Sequence, residues 1–144
     1  MIGRLAGWPV VLVVFICGCA TLQSDANARR IDDAVGLYLA AAPSVKLGDS
    51  KQHVLATLAP TQDPLPTNAR KQPDVFRQGN SMMEIHYVRS GRQPDGLTTD
   101  DEFTPYVFTD GVLSSIGWAT LGGPKSHGQL IQPPPVMDQR VIVK

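Results

Sequence analysis

The sequence lacks a hydrophobic run long enough to cross a membrane. Its most apolar stretch, residues 8–19, holds about a dozen residues, whereas a membrane-spanning helix needs roughly 20. Charge of one sign is lacking too, because 13 basic residues balance 13 acidic ones. This balance excludes the basic field that nucleic-acid binding requires. Cysteine is equally scarce, occurring only at Cys17 and Cys19.

The apolar run has the layout of a secretory signal instead. Arg4 precedes it, an apolar core follows, and small residues close it. We therefore expect the chain to be exported, with residues 1–18 removed as a signal peptide. The 126 residues that remain are enough for a single domain.

The end of this run is more specific than an ordinary signal. Ile16-Cys17-Gly18-Cys19 resembles the bacterial lipoprotein box, in which an aliphatic residue and two small residues precede a cysteine that receives a diacylglycerol. The resemblance implies cleavage after Gly18 and lipid attachment at Cys19. The alternatives are a plain cleaved signal and an uncleaved anchor. Cys17 would leave with the signal peptide, so no thiol would remain for a disulfide.

The residue after the lipidated cysteine bears on location. Ala20 stands where an aspartate would, in well-studied proteobacteria, favour retention in the inner membrane. We therefore expect the periplasmic face of the outer membrane, with the inner membrane as the alternative. The several acyl chains that the resemblance implies would anchor the protein stably, since one chain alone binds only marginally.

Composition divides the exported chain into three parts. Residues 19–30 are polar and without period, which predicts a lipidated cysteine followed by a flexible tether. Residues 31–121 are expected to form the folded domain. Residues 122–144 open with a glycine pair and contain a proline triplet, so we predict an extended or disordered tail up to about Gln139. The V-I-V that follows could pair with an open sheet edge.

Two helices are predicted at the start of the domain. Apolar residues recur at helical spacing over residues 31–42, and Pro43 ends the pattern. A shorter helix follows, with Ser50 or Asp49 as its N-cap. The inner face of this second helix carries Val54, Leu55 and Leu58.

Strands are predicted in the second half. Four prolines among polar residues make residues 59–80 an irregular connection. Residues 81–89 alternate between apolar and polar, which predicts a strand half buried on one side. The buried face would carry Met83, Ile85 and Tyr87, and the other face Glu84 and His86.

The end of the domain has a strong hairpin signal. Asp110-Gly111 lies between two apolar runs, and the favoured tight turn needs positive φ at both central residues. Tyr106, Phe108 and Trp118 around it are predicted to pack in the core or on the sheet rather than to stack on a ligand. The expected fold is α+β, with two N-terminal helices packed on a three-stranded antiparallel sheet.

These segments resemble a known family. L-G-D-S-K-Q-H-V-L-A-T-L-A-P, residues 47–60, is similar to the opening motif of the BamE (SmpA/OmlA) superfamily of small lipoproteins, and residues 106–117 are similar to its closing hairpin. Residues 95–111 are closer still to a group of uncharacterised proteobacterial lipoproteins in or beside that superfamily. The resemblance implies two helices on a three-stranded antiparallel sheet.

The match covers roughly residues 44–119, with Ala59 in place of the motif's glycine and Asp49 in place of its methionine. BamE itself is a non-catalytic accessory lipoprotein of the machinery that folds β-barrels into the outer membrane. Its partner-binding residues do not align with this chain, and the closer group has no assigned activity. The resemblance therefore implies fold and location more than a task.

Signatures of catalysis and of metal binding are missing. His53, His86 and His127 lack the close spacing of metal ligands such as H-x-x-x-H. No G-x-S-x-G is present, and no thiol would remain after processing. We therefore predict no catalytic residue, no metal site and no cofactor.

An acidic loop is the remaining candidate site. Its carboxylates could ligate a hard cation, but their spacing does not fit a D-x-D-x-D-G calcium loop. It is either a solvated loop or a recognition loop, in which Asp95-Gly96 sets a turn and threonine hydroxyls act as caps. The candidate residues are Asp95, Gly96, Thr98, Thr99, Asp100, Asp101 and Glu102.

Together these patterns favour a non-enzymatic, lipid-anchored interaction module that serves outer-membrane or cell-envelope assembly or integrity. Its expected partner is an envelope protein, with the β-barrel assembly machinery as one candidate, and not a nucleic acid. The alternative is a periplasmic binding or inhibitory domain that holds a protein or small ligand through its sheet face or residues 91–104. An enzyme acting on the cell wall would need a carboxylate or serine constellation that the sequence does not display.

Overall fold

The computed structural model describes residues 19–128. Two helices are followed by four strands, with short 3-10 turns between them. In chain order they are α1 (Cys19–Ala41), α2 (Lys51–Leu58), β1 (Asp74–Gln78), β2 (Ser81–Arg89), β3 (Phe103–Thr109) and β4 (Val112–Ile116). The signal peptide expected at residues 1–18 and the V-I-V of the tail lie outside the described residues.

α1 begins earlier than the sequence pattern predicted. The segment expected to be a flexible tether, residues 19–30, is helical, and α1 is 23 residues long. The pattern missed this segment because it carries few apolar side chains, and a polar helix shows no hydrophobic period. The predicted end is confirmed, since Pro43 lies in a 3-10 turn directly after Ala41. α1 therefore crosses the expected boundary at residue 31.

α2 matches its prediction closely. Ser50 is the N-cap, and its Oγ accepts a hydrogen bond of 3.2 Å from the His53 backbone N–H. Val54 and Leu58 are buried and Leu55 is half-buried. The predicted inner face is therefore the packed one.

The four strands form one antiparallel sheet in the order β1-β2-β3-β4. The α+β class with two helices on an antiparallel sheet is confirmed, but the predicted number of strands, three, is wrong. The additional strand is β1, inside the stretch 59–80 expected to be irregular. Only two of its five residues are apolar, and Pro73 precedes it. The signal that could have revealed it is Gly79-Asn80, a hairpin turn with φ +62° at Gly79.

The main core lies between the helices and one face of the sheet. The hydroxyls of Tyr38 and Tyr106 hydrogen-bond across it at 3.1 Å. Burial, together with this bond, raises the pKa of Tyr106. The predictions of packing roles for Tyr106 and Phe108 are confirmed. The buried cluster consists of Tyr38, Val45, Val54, Leu58, Val88, Tyr106, Phe108 and Leu113.

Val88 shows which face of β2 meets the helices. Because alternate residues of a strand share a face, Glu84 and His86 lie on the helix side with it. The predicted alternation of the two faces is confirmed. Ile85 is buried, but on the face away from the helices. The prediction of a strand buried on one side only is wrong, because both faces are partly covered. Lys51 of α2 compensates the charge of Glu84 on the helix side, because its ammonium group donates a hydrogen bond of 2.7 Å to the Glu84 carboxylate.

The β3–β4 hairpin turns at the predicted pair. Asp110 has φ +50° and Gly111 has φ +79°, as the tight turn requires. Asp110 Oδ1 also accepts a hydrogen bond of 2.8 Å from the Met82 backbone N–H, which lowers the pKa of Asp110. This bond ties the hairpin to the start of β2.

Candidate functional site

A buried ion pair fastens the acidic loop to the sheet. Arg89 ends β2 and Glu102 ends the 3-10 turn before β3, and Arg89 Nη2 lies 2.7 Å from Glu102 Oε1 with side chains 1% and 0% exposed. Arg89 also donates to Gly91 O at 3.1 Å and to Thr98 Oγ1 at 3.3 Å. Burial lowers the pKa of Arg89, although the Glu102 carboxylate opposes that effect. Glu102 is therefore an internal support of the loop and not an exposed recognition residue.

Glu102 also organises the backbone of the loop. Its Oε2 accepts from the Thr99 N–H at 3.0 Å, the side-chain half of a capping box. Its Oε1 accepts from the Gln93 N–H at 2.7 Å. One carboxylate thus satisfies two loop amides and one guanidinium. The sequence signal for this arrangement is the T-D-D-E spacing from Thr99 to Glu102.

Asp100 and Asp101 bind the chain that follows the sheet. The Lys125 N–H donates to Asp100 Oδ2 at 3.1 Å, and the Gly128 N–H donates to both oxygens of Asp101 at 3.1 and 3.0 Å. Lys71 Nζ lies 2.6 Å from Asp100 Oδ1. The part of the predicted extended tail that the structure describes, up to Gly128, is therefore docked on the loop.

These contacts set the charge state of both aspartates. Burial acts to raise the pKa of Asp100, but the hydrogen bond and charge of Lys71, with the backbone N–H groups of Lys125 and Ser126, outweigh it, and the net pKa is lowered. The hydroxyl of Thr99, which donates to Asp101 at 2.6 Å, lowers the pKa of Asp101, and the Gly128 N–H adds to this effect. Both groups are held as carboxylates.

The tip of the loop is its exposed part. Asp95 Oδ1 accepts from the Leu97 N–H at 2.9 Å, and Gly96 has φ +74°, so the turn predicted at Asp95-Gly96 is present. Leu97 is 50% exposed at the tip. The tip therefore offers an apolar side chain and a glycine rather than the carboxylates that suggested recognition.

A polar cleft of about 340 Å³ lies between this loop and the first turns of α1. Arg92 bridges the two elements, with Nε and Nη2 donating to the Asp32 carboxylate at 2.7 and 2.9 Å. The hydrogen bond from Arg92 lowers the pKa of Asp32. The polar side chains lining the cleft include Asp25, Asn27, Asn68, Arg92, Gln93 and Thr98.

Aromatic rings cover part of the sheet face opposite the helices, called the outer face here and defined by Ile85 and Tyr87 of β2. Tyr87 and Trp118 stack with centroids 5.8 Å apart, which confirms the predicted packing role of Trp118. Lys71 Nζ lies 4.0 Å from the Tyr87 ring centroid. Burial, followed by the hydrogen bond that Tyr87 donates to Asp74 at 2.8 Å, raises the pKa of Tyr87.

Beside this stack lies a depression of about 380 Å³, called the outer groove. Phe76 of β1 forms one wall and is 44% exposed. Asp74 at its margin is engaged by Tyr87. The groove thus presents mixed apolar and polar surface beside an exposed strand. Its lining includes Phe76, Ile85, Tyr87, Trp118, Leu121 and Lys125.

The two edges of the sheet differ. The edge at β4 is covered by the segment before α2, through backbone bonds from Gly48 N–H to Leu113 O, from Leu113 N–H to Asp49 O and from Lys51 N–H to Gly111 O, of 2.8–2.9 Å. β1 pairs only with β2 within residues 19–128, and all five of its residues are exposed. The β1 edge is therefore open in the described part of the chain.

The histidines do not converge. His86 lies 3.4 Å from the Glu84 carboxylate, with the edge of its ring against Phe108 at 5.5 Å between centroids. His53 and His127 each lie near a single aspartate, at 4.0 and 3.9 Å. Between residues 19 and 128 no three His, Cys, Asp or Glu side chains come together in a way that could hold a metal ion.

Cys19, the expected lipid-attachment residue, is the first residue of α1, but its side chain lies outside what the structure describes. Neither helix in the described range has the length and apolar character needed to span a membrane. Lipid attachment at Cys19 therefore stays a prediction.

Functional assignment depends on the residues and geometry of this chain. No family model, curated protein or solved structure matches it. The likeness to the BamE superfamily, noted from sequence motifs, also stays a prediction.

Proposed function

We propose that this chain is a non-enzymatic lipoprotein, anchored through Cys19 at the periplasmic face of the outer membrane, whose domain is an interaction module in envelope assembly or integrity. The proposed contact surface is the outer groove, which lies beside the exposed strand β1. The observation that carries the proposal is the contrast between the exposed side chain of Phe76 at the outer groove and the paired carboxylates of the acidic loop.

The anchoring part of the proposal is supported by the Ile16–Cys19 motif and by the position of α1. α1 extends from Cys19, the first residue that the structure describes, into the domain. At about 1.5 Å per residue, a helix is a stiff spacer rather than a flexible tether. A domain held in this way would meet membrane partners in a restricted orientation. Confinement also raises the effective concentration of partners, so weak contacts could suffice.

The interaction part is supported by what the fold leaves unused. No buried side-chain nitrogen or oxygen among residues 19–128 lacks a hydrogen-bond partner. Glu102 forms an ion pair with Arg89, and Asp100 forms an ion pair with Lys71. Val75 and Phe76, in contrast, remain 59% and 44% exposed on β1. Exposed apolar side chains beside an open strand suit contact with a protein better than bond-making chemistry.

A more specific form of the proposal is that the domain has a BamE-like fold. Two helices followed by a sheet that ends in the Asp110-Gly111 hairpin support it. β1 would then be an addition to the three strands of that superfamily. The β-barrel assembly machinery remains one candidate partner on this basis.

The alternative function is a periplasmic binding domain for a small ligand. The outer groove favours it by size, since about 380 Å³ falls within the usual 300–1,000 Å³ of ligand pockets. Trp118 and Tyr87 would then supply a stacking surface. A saturable change in Trp118 fluorescence on adding envelope glycan or lipid headgroups, absent in Tyr87→Ala, would favour this alternative.

Photo-crosslinking in intact envelopes tests the main proposal. The probe replaces Lys125, whose side chain is exposed at the outer groove while only its backbone docks on Asp100. A matched probe replaces Leu39, an exposed α1 residue away from the groove. Both are placed in the full chain, and each is repeated with Cys19→Ala.

A defined envelope protein captured from Lys125, but not from Leu39, is the expected result, and Cys19→Ala should abolish it. Capture of β-barrel assembly components would identify the partner class. Equal capture from both probes, or capture that survives Cys19→Ala, would contradict the proposal.

A further inference from the structure

We propose that β1 is a self-association edge: two copies of this chain pair β1 with β1, antiparallel, about a two-fold axis at Phe76, and form one eight-stranded sheet. The dimer needs neither the lipid nor an envelope partner, so it goes beyond the proposed function. It would join the two outer grooves across the axis.

The first support is the asymmetry of the sheet edges. The segment before α2 closes the β4 edge with three backbone hydrogen bonds. No described residue does this for β1, whose outward N–H and C=O groups are a template for another strand. Proteins protect such an edge with charged residues, proline, a bulge or a very short strand. β1 is short and carries Asp74 and Arg77, but it holds no lysine or proline, and its register with β2 is regular.

The second support is the exposed apolar surface on this short strand. Val75 is 59% and Phe76 44% exposed. Phe76 lies opposite Met83 in the register, so it belongs to the outer face with Ile85. A two-fold axis perpendicular to the sheet keeps this face on the same side in both copies. Only residues of the same face can then lie opposite one another.

The third support is that the five residues of β1 are self-complementary in this geometry. A register centred on Phe76 pairs all of them. Phe76 faces Phe76 of the second copy, an aromatic cross-strand pair with Cβ atoms about 5 Å apart. Asp74 faces Gln78 of the second copy at both ends, so an amide can donate to a carboxylate. No two like charges are opposed.

The helix side of the strand agrees with the same register. Val75 would lie opposite Arg77 of the second copy, and Val75 itself lies opposite Glu84 in β2. Arg77 of the second copy therefore lies on the same face of the sheet as Glu84, in the same cross-strand row and two strands away. The chain is close to electrically neutral, so long-range repulsion between copies is weak. These charges favour a second copy as the occupant.

Site-specific photo-crosslinking of the purified full chain tests the pairing. The probe replaces Phe76, and a matched probe replaces Leu47, which is 64% exposed near the covered β4 edge. A mixture of isotope-labelled and unlabelled chain distinguishes crosslinks between copies from those within one. Detergent and reductant prevent association through residues 8–19 and bridging by Cys17 and Cys19.

We expect dimers from the Phe76 probe whose crosslinks map to residues 74–78 of the second copy, and few from the Leu47 probe. Phe76→Lys should weaken self-association about tenfold in sedimentation experiments, because two lysines would face each other. Leu47→Lys should leave it unchanged. Circular dichroism and thermal unfolding are measured on both variants to check that they fold.

Crosslinks that map elsewhere, equal yields from the two probes, or equal association of Phe76→Lys and Leu47→Lys would overturn the proposal. Capture of a different envelope protein by the Phe76 probe in cells, with no dimer of the purified chain, would assign the edge to that partner. The envelope experiment at Lys125 is read independently, so either proposal can fail without the other.

Discussion

Arg89 and Glu102 form a fully buried ion pair, 2.7 Å between Nη2 and Oε1, that joins the end of β2 to the start of β3 and to the acidic loop. The pair lies where the loop leaves the sheet, so both strands and the loop depend on it. A carboxylate that first suggested recognition is in fact the support of the candidate site.

Removing one partner of this pair should be costly. Glu102→Gln leaves the Arg89 charge buried without a counterion, and we expect the free energy of unfolding to fall by about 3–5 kcal/mol. Urea denaturation measures it. Asp33→Asn, which removes an exposed carboxylate of α1, is the matched control and should change stability by less than about 0.5 kcal/mol. Equal effects of the two substitutions would rule out the supporting role.

Gly128 should tolerate no larger residue. A Cβ at this position would meet Gln93 Cγ at a forbidden distance and Gln93 Cβ at 2.8 Å. We expect Gly128→Ala to release residues 125–128 from the loop, seen as faster hydrogen exchange at the Lys125 and Gly128-position amides. Gly91→Ala is the control, since nothing lies within 4 Å of its Cβ position. Unchanged exchange in Gly128→Ala would show that the docking tolerates a side chain.

Acid should release the same segment. The pKa values of Asp100 and Asp101 are lowered in the folded protein, so their contribution is complete above the ordinary value of 3.8 and is lost as pH falls through the lower folded values. We expect the protection of the Lys125 and Gly128 amides, relative to their intrinsic exchange rate at each pH, to fall below about pH 4. Asp101→Asn should flatten this dependence at Gly128. A pH profile identical in Asp101→Asn and the unaltered chain would argue against a role for the carboxylate.

The β1–β2 hairpin can be tested by a pair of glycine substitutions. Gly79 has φ +62° in the turn, so Gly79→Ala should cost about 1 kcal/mol in the free energy of unfolding. Gly36 lies inside α1 with open space around its Cβ position, so Gly36→Ala should stabilise by about 0.5–1 kcal/mol. Thermal or urea unfolding measures both. A neutral or stabilising Gly79→Ala would mean that β1 does not turn at this residue.

The elements that could be predicted from the sequence are those with a clear hydrophobic period or a clear turn signal. α2, its Ser50 cap and the Asp110-Gly111 hairpin were confirmed, because local residues decide them. β1 was missed because its sequence shows no apolar alternation. Its stability comes from pairing with β2. The first turns of α1 were missed because polar helices have no hydrophobic period.

The sequence located the acidic loop but not the groups that engage its carboxylates. The acidic loop is where the sequence placed it, and its turn and capping residues are present. Arg89, Lys71 and Gly128, which engage its acidic side chains, are distant in sequence, at 13 to 29 residues from them. Only the register of the sheet brings these groups together, so the spacing of acids alone could not distinguish a solvated loop from a fastened one.

Lipid attachment at Cys19 is the premise on which location and membrane contact both depend. Mass spectrometry of the N-terminal peptide from the envelope-extracted protein tests it most directly. A peptide that begins at Cys19 and carries the mass of attached acyl chains, lost in Cys19→Ala, is the predicted result. An unmodified peptide, or one that begins at another residue, would contradict a lipid-anchored role.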